Sequence, residues 1–143
     1  MGKIMQKATL QNAGDLDAVQ RDYIHPSEVH EVEIDFIVDT GAAMICLPPD
    51  VIAALDLYET HRRRVLTANG EVTRRIYSPV RISINDREAT LDVMELPPDT
   101  PPLLGCLPLE ALDLYPNPVK QCLEGNPQYN GKMIIDLFLC HSV

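Results

Sequence analysis

From Glu31 to Val38 apolar and charged side chains alternate strictly: Val32, Ile34, Phe36 and Val38 on one side, Glu31, Glu33 and Asp35 on the other. Successive strand side chains point to opposite faces, so this period of two specifies a half-buried β-strand. The strand runs straight into Asp39-Thr40-Gly41.

The same period recurs downstream. Val80, Ile82 and Ile84 alternate with Arg81 and Ser83, Asn85-Asp86 turns the chain, and Ala89, Leu91 and Val93 return against Glu88, Thr90 and Asp92. Residues 62–67 and 71–77 flank Asn69-Gly70, a dipeptide that readily supplies two positive φ angles, and so predict a projecting hairpin. Upstream, residues 3–10 read as a strand able to pair with Glu31–Val38. Residues 11–27 read as a long connection with a helical turn around 15–21. Residues 42–47 form a short apolar run stopped by Pro48-Pro49, after which Asp50, Val51, Ile52 and Leu55 suit a short helix. Prolines 97, 98, 101 and 102 stiffen a crossing loop before Leu103-Leu104-Gly105, and residues 108–114 suit one or two helical turns. Residues 119–123 and 132–139 are further strand candidates. The expectation is an all-β chain of about seven strands with one or two short helices, and no internal repeat.

At 143 residues, 45% of them apolar and 23% charged, the chain fits a single globular domain spanning 1–143. Its net charge of −9 disfavours nucleic acid as a partner, because phosphate binding rests on Lys and Arg. The opening Met1-Gly2-Lys3-Ile4-Met5-Gln6-Lys7 has no apolar stretch of signal-peptide length, and Lys7 stands where a myristoylation signal wants Ser or Thr. Nothing later approaches a membrane span, so the reading is cytoplasmic with no membrane partner. Cys46, Cys106, Cys122 and Cys140 are then expected as free thiols. His25, His30, His61 and His141 are scattered and no C-x-x-C exists, so no metal site is expected.

Asp39-Thr40-Gly41 alone is also what a strand end turning through Asp and Gly looks like. Its surroundings argue for more. The apolar Phe36-Ile37-Val38 precedes it, small Ala42 follows, and some sixty residues later Leu103-Leu104-Gly105 leads into a short helix. In this order the chain resembles the retropepsin-like (clan AA) aspartic peptidases, including cytoplasmic bacterial proteins given that label, over residues 31–114. The resemblance implies an acid-protease fold, a closed barrel-like β domain, acting as a homodimer on peptide or protein substrates without a cofactor. It makes Asp39 the catalytic carboxylate, Thr40 a residue bonding across to the partner subunit, and Gly41 the point of close backbone approach. Thr67, Ala68, Asn69, Gly70 and Glu71 fall where the family carries a mobile flap; with Ala42 they are the implied substrate-binding residues. One departure stands out: an acidic residue after the D-T-G-A and an Arg after the apolar-apolar-Gly pair in viral members, whereas here Ala43, Met44 and Cys106 occupy those regions.

The chemistry explains why one such Asp implies two chains. Hydrolysis without a metal or covalent nucleophile needs a base for the water and an acid for the carbonyl oxygen, and one carboxyl cannot serve as both at once. Two adjacent carboxyls share a proton because like charges at close range cannot both ionise cheaply. Twofold pairing brings each residue near the axis against its own copy. The single D-T-G excludes an internal pseudo-dimer. Asp35, on a polar strand face, and Asp50, Asp56 and Asp113, in or beside short helices, suit solvation or capping. Two alternatives stay open: an inactive dimerisation or peptide-binding module that kept the fold, and a structural domain with an accidental D-T-G, monomeric with Asp39 in solvent. The arginines Arg62, Arg63, Arg64, Arg74 and Arg75 straddle the predicted flap as a solvated face or as a site for acidic substrates.

Overall fold

The computed structural model describes residues 3–134. In chain order they form β1 (Met5–Asn12), α1 (Ala13–Gln20), β2 (Glu31–Val38), β3 (Ile45–Leu47), α2 (Pro49–Ala54), β4 (Glu59–Thr67), β5 (Gly70–Ile84), β6 (Arg87–Glu95), β7 (Leu103–Leu104), α3 (Cys106–Ala111), β8 (Leu114–Asn117) and β9 (Cys122–Gly125), with 3-10 turns at Pro26–Glu28 and Pro127–Tyr129. The chain is mostly strand with few helices, the expected all-β class. Seven strands make one sheet in the order β1-β2-β7-β3-β6-β5-β4, and β8 and β9 make a separate ribbon.

The long strand β5 determines the architecture. Along one edge it pairs first with β4 and then, over Val80–Ser83, with β1, while its other edge carries β6. The β1–β5 pairing closes six strands into a ring, and β4 stands outside it, so the ring is not a clean barrel. Register shifts on β5 between Tyr77 and Val80, where Pro79 has no N–H to give the ladder. The ring encloses Leu10, Phe36, Ile45, Leu47, Val80, Ile82, Val93 and Leu104, all fully buried, with Leu55 and Leu112 sealing the helix side.

The turn after β4 differs from its expected form. Thr67 pairs with Gly70, leaving Ala68-Asn69 as the two-residue tip, and only Gly70 has positive φ, at 107°. Glycine, with no Cβ, takes that positive φ without steric cost and so closes the two-residue tip. Thr67 Oγ1 accepts from Asn69 N at 3.2 Å and donates to Gly70 O at 2.8 Å, holding the tip.

There are three α-helices among the described residues, against one or two expected. The extra one is α1, a full helix of eight residues where the connection was expected to hold a helical turn around 15–21. Asn12 starts it: its buried side chain accepts from Asp15 N at 3.1 Å and donates to Leu55 O and Asp56 O at 2.9 and 3.2 Å. β8 was not expected because it contains Pro116, which a two-stranded ribbon tolerates. The strand expected at 119–123 is displaced to β9, since Gln121 turns the chain at φ 53°. Of the strand expected at 132–139, residues 132–134 carry no strand and the rest lie outside the described residues. No helix among the described residues is long and apolar enough to cross a membrane.

Arg87, the first residue of β6, ties the C-terminal ribbon to the ring. Its buried guanidinium donates to Leu112 O at 2.9 Å, to Asp113 O at 2.5 Å and to Gly131 O. Removing the cation leaves those carbonyls short of donors. Arg87→Met should therefore lower the unfolding free energy by about 2–4 kcal/mol in urea denaturation; a change below about 0.5 kcal/mol would mean that the carbonyls are satisfied by water instead.

Candidate active site

Asp39 is held at the end of a ladder. β2 pairs antiparallel with β1 and parallel with β7, matching Ile37 with Leu103 and Val38 with Leu104. Asp39 N extends the contact by donating to Leu104 O at 3.0 Å. Ala42 N then donates to Asp39 O at 3.0 Å, closing a tight turn over Thr40 and Gly41, and β3 returns antiparallel along the other side of β7. Two apolar residues, Leu103 and Leu104, thus sit between the strand that enters the loop and the strand that leaves it.

The loop is locked from below by Gly105. Gly105 N donates to Met44 O at 3.0 Å, and Cys106 N and Leu107 N donate to Ala42 O and Ala43 O at 2.9 Å each. The first N–H groups of a helix lack intrahelical acceptors, and α3 has no side-chain cap, so loop carbonyls satisfy them instead. A Cβ on residue 105 would lie 2.6 Å from Ala42 O and 2.7 Å from the carbonyl carbons of Ala42 and Ala43, so only glycine allows this approach.

The carboxylate of Asp39 is half-buried. Its Oδ1 accepts from Gly41 N at 2.9 Å, which fixes the side chain's rotation, and Oδ2 has no hydrogen-bond donor among the described residues. Thr40 is exposed and its hydroxyl is also unpaired among the described residues. The buried Cys46 thiol sits nearby, pushed up to about 11, mainly by burial and in part by the Asp39 charge; it is held as a neutral packing group. Cys46, Cys106 and Cys122 are all free. No three His, Cys, Asp or Glu side chains gather as a ligand set among the described residues.

A cleft of about 470 Å³ opens beside the loop. Its walls are Gly41–Ile45, Arg63–Leu66 of β4, Ile76, Leu91, Asp92 and Met94 of the neighbouring strands, and Leu107 and Pro108 of α3. Of the residues expected at the site, Asp39, Thr40, Gly41 and Ala42 form one continuous turn, and Gly41 and Ala42 line the cleft. Thr67, Ala68, Asn69 and Gly70 form the hairpin tip beyond it. Glu71 lines a second groove along the hairpin with Arg62, Arg63, Arg64 and Leu66, and pairs with Arg64 at 3.5 Å. The hairpin therefore meets the loop through its arm, residues 63–66. Of that arm the sequence had singled out Arg63 and Arg64 among the arginines straddling the hairpin; Val65 and Leu66, with Met44, Leu91, Met94 and Leu107, were not singled out, and Leu66 stands 84% exposed on its strand.

The other aspartates have structural places. Asp35 is exposed on β2 and Asp50 lies in the first turn of α2. Asp56 and Asp113 each follow a helix with φ 53°, the left-handed step that ends helices.

A family model described as aspartyl protease matches residues 26–107, more than half of the chain. A search of curated proteins gave no match.

Gly105→Ala should cost about 1–3 kcal/mol of stability and expose the Cys106 and Leu107 amides to hydrogen exchange, because the added methyl collides with backbone that cannot move aside. Gly41→Ala, whose methyl would meet only Asp39 Oδ1 at 3.1 Å, should leave that protection intact. Equal protection in both variants would contradict the interlock.

Proposed function

The chain belongs to the aspartyl protease family, and from that premise we propose that it is a homodimeric aspartic endopeptidase whose active centre is Asp39 with its symmetry copy. The observation that carries this reading is the state of Asp39 in one chain. Its rotation is fixed through Oδ1, Oδ2 is open, and it stands beside a largely apolar cleft of peptide-binding size. The exposed, unpaired Thr40 suits a role in bonding to the partner's loop. Free cysteines suit a reducing cytoplasm.

In this mechanism the pair carries one proton. The ionised carboxyl takes a proton from water as the water oxygen bonds to the scissile carbonyl carbon. The protonated carboxyl gives its proton to the carbonyl oxygen, and a neutral tetrahedral diol forms. Reversal of roles then returns one hydroxyl proton to a carboxylate while the amide nitrogen takes a proton from the other acid, and the C–N bond breaks. The pair ends singly protonated, as it began. The β4–β5 hairpin, whose residues Thr67 to Glu71 bind substrate together with Ala42, closes over the peptide and excludes water.

Asp39→Asn should lower the rate of cleavage of a peptide library by about 10²–10⁴-fold or more without changing self-association by ultracentrifugation. Wild-type activity should be bell-shaped in pH, because both the doubly ionised and the doubly protonated pair lack one partner. Undiminished cleavage by the variant would remove Asp39 from the chemistry, and cleavage by neither protein would favour a peptide-binding module on the same fold.

A further inference from the structure

Five of the chain's twelve basic residues fall within residues 62–75, and the pairing of β4 with β5 sets four of them opposite one another. Arg62 faces Arg75 and Arg63 faces Arg74. Like charges directly across a sheet repel, so each pair costs stability unless something compensates it. The two pairs lie on opposite faces of the ribbon and are treated differently.

On the outer face the charges are balanced. Glu59 bridges the pair, 3.4 Å from Arg62 Nε and 3.3 Å from Arg75 Nε, and Glu95 stands 3.9 Å from Arg75 Nη1. On the face shared with Val65, Val72 and the buried Ile76, neither Arg63 nor Arg74 has a carboxylate within ion-pair distance among the described residues. This is the face turned to the candidate active site. Arg63, Val65 and Ile76 line the cleft. Arg64 and Leu66 of the other face reach it at the ribbon's edge, with Arg64 already paired to Glu71. Arg74 lies close enough to Cys46 on β3 for its charge to act on the same thiol as Asp39 does. The one carboxylate in the cleft wall, Asp92, is exposed and forms no ion pair with either arginine.

We infer that Arg63 and Arg74 are specificity-determining residues that receive an Asp or Glu side chain of the substrate, next to apolar substrate residues seated on Met44, Leu91, Met94 and Leu107. This rests on the peptidase reading and names its substrate class: acidic-apolar peptide segments. A substrate carboxylate supplies the counter-charge that the outer face takes from Glu59. The walls around it are apolar, so the pairing is less screened than on open surface. The net charge of −9 repels acidic peptides at a distance, which confines the preference to contact with these two arginines.

The test uses matched fluorogenic peptides with Glu, Gln or Lys scanned through the positions flanking the cleaved bond. At one position the wild type should favour Glu over Gln by about three- to tenfold in kcat/KM, with Lys lowest, and added salt should shrink the ratio. In Arg63→Gln/Arg74→Gln the Glu-to-Gln ratio should fall to about one, and in Arg63→Glu/Arg74→Glu the order should invert to favour Lys, a gain that misfolding cannot produce. Equal cleavage of Glu and Gln peptides by the wild type at every position, or a ratio that survives in the double Gln variant, overturns the inference. Should no peptide be cleaved, the peptidase reading fails by itself. Fluorescence anisotropy of the same labelled peptides on the wild-type chain then decides the inference: a Glu-over-Gln binding preference lost in the double Gln variant upholds it, and equal binding overturns it.

Discussion

The whole site depends on a backbone contact too close for any side chain. At Gly105 the end of β7 presses against the carbonyls of Ala42 and Ala43, and three successive N–H groups, of residues 105 to 107, donate to Met44, Ala42 and Ala43. That contact joins the loop bearing Asp39 to the start of α3, while Leu104 O holds Asp39 N from the side. The loop is irregular backbone, which ordinarily would be mobile. Here Asp39 N and the carbonyls of Ala42, Ala43 and Met44 are bonded to β7, Gly105 and the start of α3, so the backbone on either side of the carboxylate is tied to regular elements.

What this rigid mount presents is incomplete by design of the chemistry. One carboxylate, bonded on one oxygen and open on the other, can act as a base or as an acid but not as both together. The exposed Thr40 and Asp39 Oδ2, which has no donor among the described residues, belong to the same loop, and in the proposed dimer a twofold axis passing there would complete the pair with no further residue. The β4–β5 hairpin has the opposite character. β4 and the first part of β5, residues 70–75, project from the closed ring paired only with each other, and carry the exposed Leu66 and a concentration of arginine. In the proposed peptidase, a fixed loop and a lightly held ribbon across a shared cleft would divide the work between chemistry and substrate capture.

Much of this was legible in the order of residues because the elements that matter have a period of two. The alternation of β2, β5 and β6 appears in the burial pattern, with Phe36, Val80, Ile82, Ile84 and Val93 inward and Glu31, Glu33, Glu88 and Asp92 outward. Asp39-Thr40-Gly41 and Leu103-Leu104-Gly105 were readable as motifs, and the structure puts them in backbone contact. The failures have specific causes. α1 was read only as a helical turn around 15–21, because its start depends on Asn12 reaching the end of α2, forty-odd positions away, and no local pattern encodes that contact. The Asn69-Gly70 turn shifted by one residue because Gly70, which alone takes a positive φ there, pairs with Thr67 as the first residue of β5. Arg63 and Arg74 could be counted in sequence, but only the register separates the neutralised pair from the uncompensated one.

The central claim is that two chains jointly make one active centre, and stoichiometry measures this most directly. A peptide analogue with a hydroxyl-bearing tetrahedral carbon in place of the scissile carbonyl imitates the diol between the carboxyls. Titrated calorimetrically, it should saturate at one molecule per two chains, and Asp39→Asn should abolish the binding. Saturation at one per chain, or equal affinity for the variant, would contradict a shared pair.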